Sequence, residues 1–584
     1  MLASDPLRNV LYVDLSRRRS WVEDRSELFE EGVGGAGTAI RLLDDQCPHG
    51  ADPVGPENPI VLAVGPLVGL YPMASKTVAM FKSPHTGELG ESHAGGRSAV
   101  AIRLAGYGAI VILGASSMPV YLVIDGDEVR FRDATALWGM RSSYTVGDIL
   151  RERESGAGHR TIMRIGRAGE AQVSYACVIT ETYRHFGRLG LGAVFGSKKL
   201  KGVVVMGDRP LDVADRRAYR DVYDAIFDAA TKSELMQKYH ELGTPMNVLP
   251  LNEMSALPTR NLQEARFEGA ERISGERMAE EYLGRRLACA HCPVACIHLA
   301  ALRTPHPDEP YFYKTSMLGY DYEPIYALGS MLGGSDPPGM LRLMDEIEVL
   351  GLDAMSSGVA LAWATEAFQR GYLTEAETGG LSLAWGDYHA YIKAVRRIVG
   401  QPNQFYETLA RGVAKAAARY GGAEFALTFG GNEMPGYHTG PAAHLTYLTG
   451  ARHSHLDSAG YSLDQKALGS GQELDPLDVA RSLLEEERWR QVLSSLVVCF
   501  FARGVYTPLV ILRALSTAGF DRSEEDLQKL GAETLSAKYA FKTREGFAHE
   551  GMRIPRRILE TESPLGQVDE GFLREAVQHF VENV

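Results

Sequence analysis

Up to about residue 208 the apolar positions fall in short runs, 10–15, 60–64, 99–104, 109–113, 120–124 and 202–206, rich in β-branched residues and separated by glycine-rich joints. Runs of this length and composition predict buried strands. Beyond residue 208 the period lengthens. Apolar residues recur every three or four positions over 215–232, 238–242, 340–350, 358–371, 387–399, 405–420, 477–496, 508–516, 524–544 and 569–581, which predicts helices. The expected fold class is α+β, a β-rich N-terminal region followed by mainly α-helical ones. Neither an internal repeat nor a low-complexity linker is visible.

The glycine-rich joints at 32–37, 87–97, 165–170 and 187–199 narrow the picture. Glycines let backbone N–H groups approach an anion, and Arg97, Arg167, Arg188, Lys198 and Lys199 add charge, so these joints suit a phosphorylated cofactor. Each also reads as a tight turn in a β-rich region. None is a GxxxxGK[ST] loop, and no strand–GxGxxG–helix unit emerges.

The chain has 584 residues, which by length alone allows about three to five domains' worth of core. With 45% hydrophobic and 23% charged residues it has an ordinary globular composition. A formal charge of -13 argues against a general nucleic-acid binder. No uninterrupted apolar stretch is long enough to span a bilayer, so no membrane is expected. Met1-Leu2-Ala3-Ser4-Asp5-Pro6 has no basic segment leading into an apolar core, so a cytoplasmic location with reduced thiols is expected.

The chemistry-bearing stretch is Cys289-Ala290-His291-Cys292-Pro293-Val294-Ala295-Cys296, which holds three of the chain's six cysteines. A CxxCxxxC loop can wrap three thiolates around one metal cluster while a fourth comes from elsewhere. Cys499, in the apolar run Leu496-Val497-Val498-Cys499-Phe500, is the best fourth ligand because its surroundings would shield a cluster from water. Three readings stay open on spacing alone: an iron–sulfur cluster, a zinc site completed by His291 or His298, and inert buried thiols. A disulfide framework does not suit so long a chain with so few cysteines.

Further motifs identify a resemblance. Gly34-Gly35-Ala36-Gly37, Lys82-Ser83-Pro84-His85-Thr86-Gly87, Ala105-Gly106-Tyr107, Leu137-Trp138-Gly139, Gly166-Arg167-Ala168-Gly169-Glu170 and the stretch 190–198 lie in the first third. Leu257-Pro258-Thr259-Arg260-Asn261, the cysteine loop, Tyr322-Glu323, Gly351-Leu352-Asp353, Leu496-Val497-Val498-Cys499 and Arg544-Glu545-Gly546-Phe547 follow. With these motifs the chain resembles, nearly end to end, the tungsten-dependent aldehyde:ferredoxin oxidoreductases.

The resemblance implies a β-rich pterin-binding domain (1–208) of two related sheets forming a saddle. Two helical domains would cover it, one carrying the cysteine loop (209–425) and one the fourth cysteine (426–584). It implies a tungsten or molybdenum bis-pyranopterin, magnesium bridging the pterin phosphates, and a 4Fe-4S cluster on Cys289, Cys292, Cys296 and Cys499. The metal would be held by pterin dithiolenes, the protein contributing binding and electrostatics. Lys76, His93, Ala94, Gly95 and residues 184–187, including Arg184, His185 and Gly187, would line the phosphates. Glu348, Leu352, Asp353 and the stretch from Ser494 would contact the pterins from the helical side. Three positions depart from the family: His93 stands where asparagine is usual, Glu348 is an acidic residue with a longer side chain than usual, and Ser494 stands where an acidic residue is usual. Ser494 supplies no carboxylate.

The activity implied is oxidation of an aldehyde to a carboxylic acid, which needs a nearby acid/base. By its residues alone Glu323 reads first as a helix N-terminal carboxylate beside Pro324. The resemblance makes it the proton carrier, with a pKa raised by apolar walls. His455 is the paired histidine, with His444 and His453 as competitors. Electrons would pass to the cluster and on to ferredoxin or a ferredoxin-like subunit, with Lys198, Lys199 and Lys201 as the docking patch. A homodimer or hetero-oligomer is expected. No acidic-x-x-His pair for a bridging iron is present. Two alternatives remain: a related reductase of an aromatic acyl-CoA, and a cofactor-depleted electron-relay subunit.

Overall fold

Two six-stranded sheets of identical topology form the N-terminal part of the computed structural model. The structure describes residues 5–584 except 157–158, 182, 214, 307 and 310. Residues 1–4, on which the reading of the N-terminus partly rests, lie outside the described residues. The first sheet contains β1 (Asn9–Asp14), β2 (Arg19–Asp24), β3 (Ile60–Ala63), β4 (Thr77–Lys82), β5 (Leu89–Ala94) and β6 (Ala109–Leu113), in the order β2-β1-β6-β3-β4-β5. The second contains β7 (Val120–Asp125), β8 (Glu128–Asp133), β9 (His159–Arg164), β10 (Val178–Ile179), β11 (His185–Phe186) and β12 (Leu200–Gly207), in the order β8-β7-β12-β9-β10-β11.

Strand n of the first sheet therefore corresponds to strand n+6 of the second, parallel pairs included: β1 runs parallel to β6 as β7 does to β12. The repeat absent from the sequence is present in the backbone. Five of the expected strand runs coincide with β1, β3, β6, β7 and β12. The run at 99–104 instead forms the helix Ser98–Ala105, closed by Gly106 in a left-handed conformation. A short apolar segment buried on all sides carries no period that separates strand from helix.

The helical expectation holds beyond residue 208, with two corrections. The helix Glu524–Arg544 has the expected ends because a capping box at Ser523 and Asp526 opens it, while Lys542 and Arg544 complement its dipole in the last turn. Residues 405–420 form two helices, Gln404–Leu409 and Val413–Tyr420, because Gly412 takes φ +103 between them. A third sheet that the periodicity misses is built from β13 (Leu283–Leu287), β14 (Ile297–Pro305) and β15 (Tyr313–Tyr320). The side chains of β13 are half-buried or exposed, so it lacks an apolar run.

The helix Pro476–Ser495 packs on both Glu524–Arg544 and the early helix Gly35–Gln46, so the C-terminal part shares a core with the first sheet. Gly34 and Gly35 allow this. A Cβ on Gly34 would meet Val64 O at 2.7 Å, and one on Gly35 would collide with the carbonyls of Ser494 and Ser495. Gly166 likewise abuts the carbonyl of Leu350. Glycines of these two joints thus serve close backbone packing, as do Gly192 and Gly196 of the joint at 187–199.

The same topological repeat organises the helical segments against the sheets. Ala74, just before β4, bridges Val498, and Ala176, just before β10, bridges Leu352. Lys76 N donates to Val497 O at 3.2 Å as Cys177 N does to Gly351 O at 3.0 Å. Cys499 N reaches Met73 O at 3.0 Å as Asp353 N reaches Tyr175 O at 2.9 Å. Even the backbone conformation repeats, φ +81 at Gly351 and φ +53 at Val497. Glu348 and Ser494 are therefore equivalent positions, and so are Asp353 and Cys499.

Candidate functional site

The cysteine loop is the turn of the β13–β14 hairpin, closed by the pair Leu287↔Ile297. It is pinned to the first sheet: Ala290 N donates to Gly96 O at 2.8 Å and Met73 N to His291 O at 3.0 Å. Met73 also accepts from Cys499 N, so one residue ties the loop to the segment bearing the fourth thiol. Cys289, Cys292, Cys296 and Cys499 line one cavity together with Met73, Lys76 and Arg184. Its interior measures about 340 Å³, within the range of about 300–1,000 Å³ usual for small-molecule sites. With its mouth included the space reaches about 1660 Å³.

The electrostatics are those of gathered sulfurs. Burial, with Cys289 nearby, pushes the Cys292 thiol up to about 12, and burial pushes Cys296 to about 11 against the pull of Arg184. Burial acts against the charge of Lys76, but the sulfurs of Cys499 and Cys289 outweigh it and raise the ammonium pKa. Gly95 makes room for this contact, since a Cβ there would lie 2.8 Å from Cys289 Sγ and 3.1 Å from Lys76 Nζ. Cys47 and Cys177 are buried elsewhere.

Glu323 projects from the first turn of the helix Tyr322–Leu328 into the same cavity. His455 Nε2 lies 3.2 Å from Glu323 Oε1, and the Tyr437 hydroxyl donates to that oxygen at 3.2 Å. The loop carrying His455 is clamped by buried Asp457, which accepts from Ser454 N at 2.9 Å and from Arg452 Nε at 2.6 Å. Burial pushes the Glu323 carboxyl up, but the hydrogen bond and charge of His455 prevail and hold it below its usual value. This corrects the expected raised pKa. The carboxyl that is raised, to about 6, is Asp321, through burial and then the charge of Glu323.

His93, Arg184, His185 and Gly187 also line the cavity, and Ala94 and Gly95 close the end of β5 beside it. Glu348 reaches the cavity through His185, whose Nε2 lies 2.7 Å from Glu348 Oε2. At the equivalent position Ser494 has no carboxylate, and His93 Nε2 instead lies 2.7 Å from Glu91 Oε1 on its own strand. Burial, outweighing the pull of Glu91, lowers His93 to about 4. Asp353 caps the helix Ala354–Gln369 and lies 3.3 Å from Arg188 Nε. Leu352 is spent on its bridge to Ala176.

His444 is paired with His438 at 2.9 Å, and His453 with Tyr447 O at 2.9 Å, both away from the cavity. Two of the three expected docking lysines are out of a partner's reach: Lys198 and Lys201 are buried, the former donating to Gly114 O at 2.8 Å and the latter paired with Glu170, while Lys199 is exposed. Sequence reasoning missed Asp321, Glu91 and Arg452 as cavity residues, while Arg188, singled out for its charge in a glycine-rich joint, does line the cavity. A carboxylate two residues before Glu323 was the one local signal, since both then flank a helix start.

The cavity walls present unmatched polar groups. Arg184 Nε, Arg188 Nη1 and His455 Nδ1 are buried without a hydrogen-bond partner. Two such guanidinium donors and Lys76 suit an anionic, phosphate-bearing group. Among the described residues no three His, Cys, Asp or Glu side chains are close enough to hold a single ion. Of the histidines that a zinc site would use, His298 is bonded to His240 O at 2.9 Å and His291 is exposed.

Comparison with known proteins places these residues in a wider setting. The family model described as aldehyde ferredoxin oxidoreductase, N-terminal domain, matches residues 10–207. The model for domains 2 and 3 of that family matches residues 221–582. A tungsten-containing aldehyde ferredoxin oxidoreductase of Thermococcus kodakarensis is 34% identical over 579 residues, covering 95% of this chain and 92% of that one. Its counterpart from Pyrococcus furiosus is 31% identical, covering 95% and 91%. The active-site complex BamBC of benzoyl coenzyme A reductase with 1,5-dienoyl-CoA superposes with a TM-score of 0.83 at 21% identity, covering 99% of this chain and 94% of that one. That last likeness speaks to the fold alone.

Proposed function

We propose, since the chain belongs to the aldehyde ferredoxin oxidoreductase family, that this oxidoreductase converts an aldehyde and water to a carboxylic acid. The two electrons released would leave through a 4Fe-4S cluster on Cys289, Cys292, Cys296 and Cys499 to ferredoxin or a similar carrier. A tungsten or molybdenum bis-pyranopterin, when bound, supplies the oxygen-transfer and two-electron chemistry. Lys76, Arg184 and Arg188 would hold its phosphates together with magnesium, and Gly187 borders open space beside them.

The observation that carries the reading is the Glu323–His455 pair in the cavity that the four cysteines also line. Glu323, kept ionised by His455, is a base ready to take the proton released as water adds to the carbonyl. His455 would hold Glu323 in place through Nε2, and the Tyr437 hydroxyl fixes the carboxylate rotamer. The same pair favours aldehyde oxidation over reduction of an aromatic acyl-CoA.

Protein purified without oxygen tests this by metal analysis and dye-linked assays with short, branched and aromatic aldehydes. About one tungsten or molybdenum and about four irons per chain are expected, with aldehyde-dependent dye reduction. Iron without the heavier metal, and no turnover, would leave an electron-relay subunit instead.

A further inference from the structure

On the outer side of the cysteine hairpin a cleft of about 1210 Å³ opens between β9 and the strands β13 and β15, and the loop residues Ala290 and His291 form one end of it. Six arginines and lysines line it against three carboxylates, in a chain whose overall charge is -13. Four of those cations, Arg97, Arg151, Arg285 and Lys314, are exposed. Their side chains form no ion pair or hydrogen bond among the described residues, although many surface cations elsewhere are paired with neighbouring carboxylates, such as Arg574 with Glu570 and Lys232 with Asp228.

Beside this basic rim, β15 begins at an exposed aromatic tip. Tyr311, Phe312 and Tyr313 are 91%, 66% and 54% exposed, and Lys314 follows them directly into the cleft. Large aromatics beside unpaired cations are the composition of a protein-docking surface. An unpaired positive field in an otherwise acidic molecule steers an acidic partner to one place. That place is the outer face of the loop holding three of the four cysteines.

We propose that this cleft and the aromatic tip dock the acidic one-electron iron–sulfur protein that takes electrons from the cluster. The inference rests on the acceptor proposed above and supplies the surface it uses. Each encounter oxidises the cluster by one electron and reduces the carrier by one, so two encounters clear the electrons of one aldehyde. Lys198 and Lys201, being buried, contribute nothing to it.

The test uses the anaerobically purified holoenzyme, an acidic bacterial-type ferredoxin as carrier, and methyl viologen as a small acceptor that needs no docking face. In the double variant Arg285→Glu/Lys314→Glu, KM for ferredoxin should rise about tenfold at low ionic strength with kcat unchanged. Viologen-linked aldehyde oxidation and metal content should not move. KM of the unaltered enzyme should rise with salt, and that of the variant much less. Lys199→Glu, an exposed charge elsewhere, should leave KM unchanged. An unchanged KM in the double variant, or an equal rise in Lys199→Glu, overturns the docking face while leaving the acceptor reading intact. If the unaltered enzyme oxidises aldehyde with viologen but reduces no ferredoxin, the acceptor reading fails and this inference with it.

Discussion

His455 Nε2 stands 3.2 Å from Glu323 Oε1, joining a residue in the loop before the helix Gly460–Ser470 to one in the first turn of the helix Tyr322–Leu328. The contact makes Glu323 a resting carboxylate, and a carboxylate is the form able to accept a proton. Glu323→Gln keeps the shape and removes that capacity. Aldehyde turnover should fall by about 10²–10⁴-fold, with iron and tungsten content unchanged. A variant with near-normal turnover and full metal content would rule Glu323 out as the base.

Asp321 gives a pH dependence of stability. Its folded pKa of about 6 lies above the unfolded value near 3.9. Between those values the folded chain keeps a proton that the unfolded chain has lost. Stability from this group is therefore complete below about pH 4 and disappears as pH rises through 6. Asp321→Asn removes the penalty, so its unfolding temperature should exceed that of the unaltered protein more at pH 8 than at pH 5. An equal difference at both pH values would refute the raised pKa.

Gly95→Ala should cost the cluster. The added methyl would lie between Cys289 Sγ and Lys76 Nζ, at 2.8 Å and 3.1 Å, and the cysteine loop would have to move. Iron per chain and the visible absorbance of the cluster should fall sharply. Gly469→Ala, where a Cβ meets nothing within 4 Å, should leave both unaltered.

The thiols separate into two classes. Cys499→Ser should lower bound iron, because Cys499 shares the cavity with the loop cysteines. Cys177→Ser should not, because that thiol is buried against Leu352 O at 3.5 Å. Equal iron in the two variants would contradict the four-cysteine site.

Glu91 is more than a partner for His93. Its Oε2 lies 2.5 Å from buried Lys538, so Glu91→Gln leaves a buried cation without its counter-charge. A loss of about 3–5 kcal/mol is expected, read as a lower midpoint in denaturant unfolding. A midpoint within error of the unaltered protein would mean that Gln491, which accepts from Lys538 at 2.5 Å, suffices alone.

Much of the site was legible from residue identity. The cysteine spacing was read from the residues themselves and Glu323 and Gly187 from the family's motifs, and all of them line the cavity. Two of the three docking lysines were misread because charge in a sequence says nothing of burial: Lys198 and Lys201 point into the fold, where carbonyls and Glu170 receive them. The third sheet was missed because β13 is largely solvent-facing and has no apolar alternation to detect.

What the sequence determined by itself is what acts within a few residues: helix periods, the cap at Ser523, the break at Gly412 and three thiols on one turn. The family resemblance named His455 and two related sheets, but only the tertiary structure showed the contact with Glu323, the strand-for-strand repeat, and which carboxyl is raised. Those outcomes depend on burial and on charges brought in from distant segments, as Cys499 is brought to Met73 and the loop beyond it, and no local pattern encodes such distances.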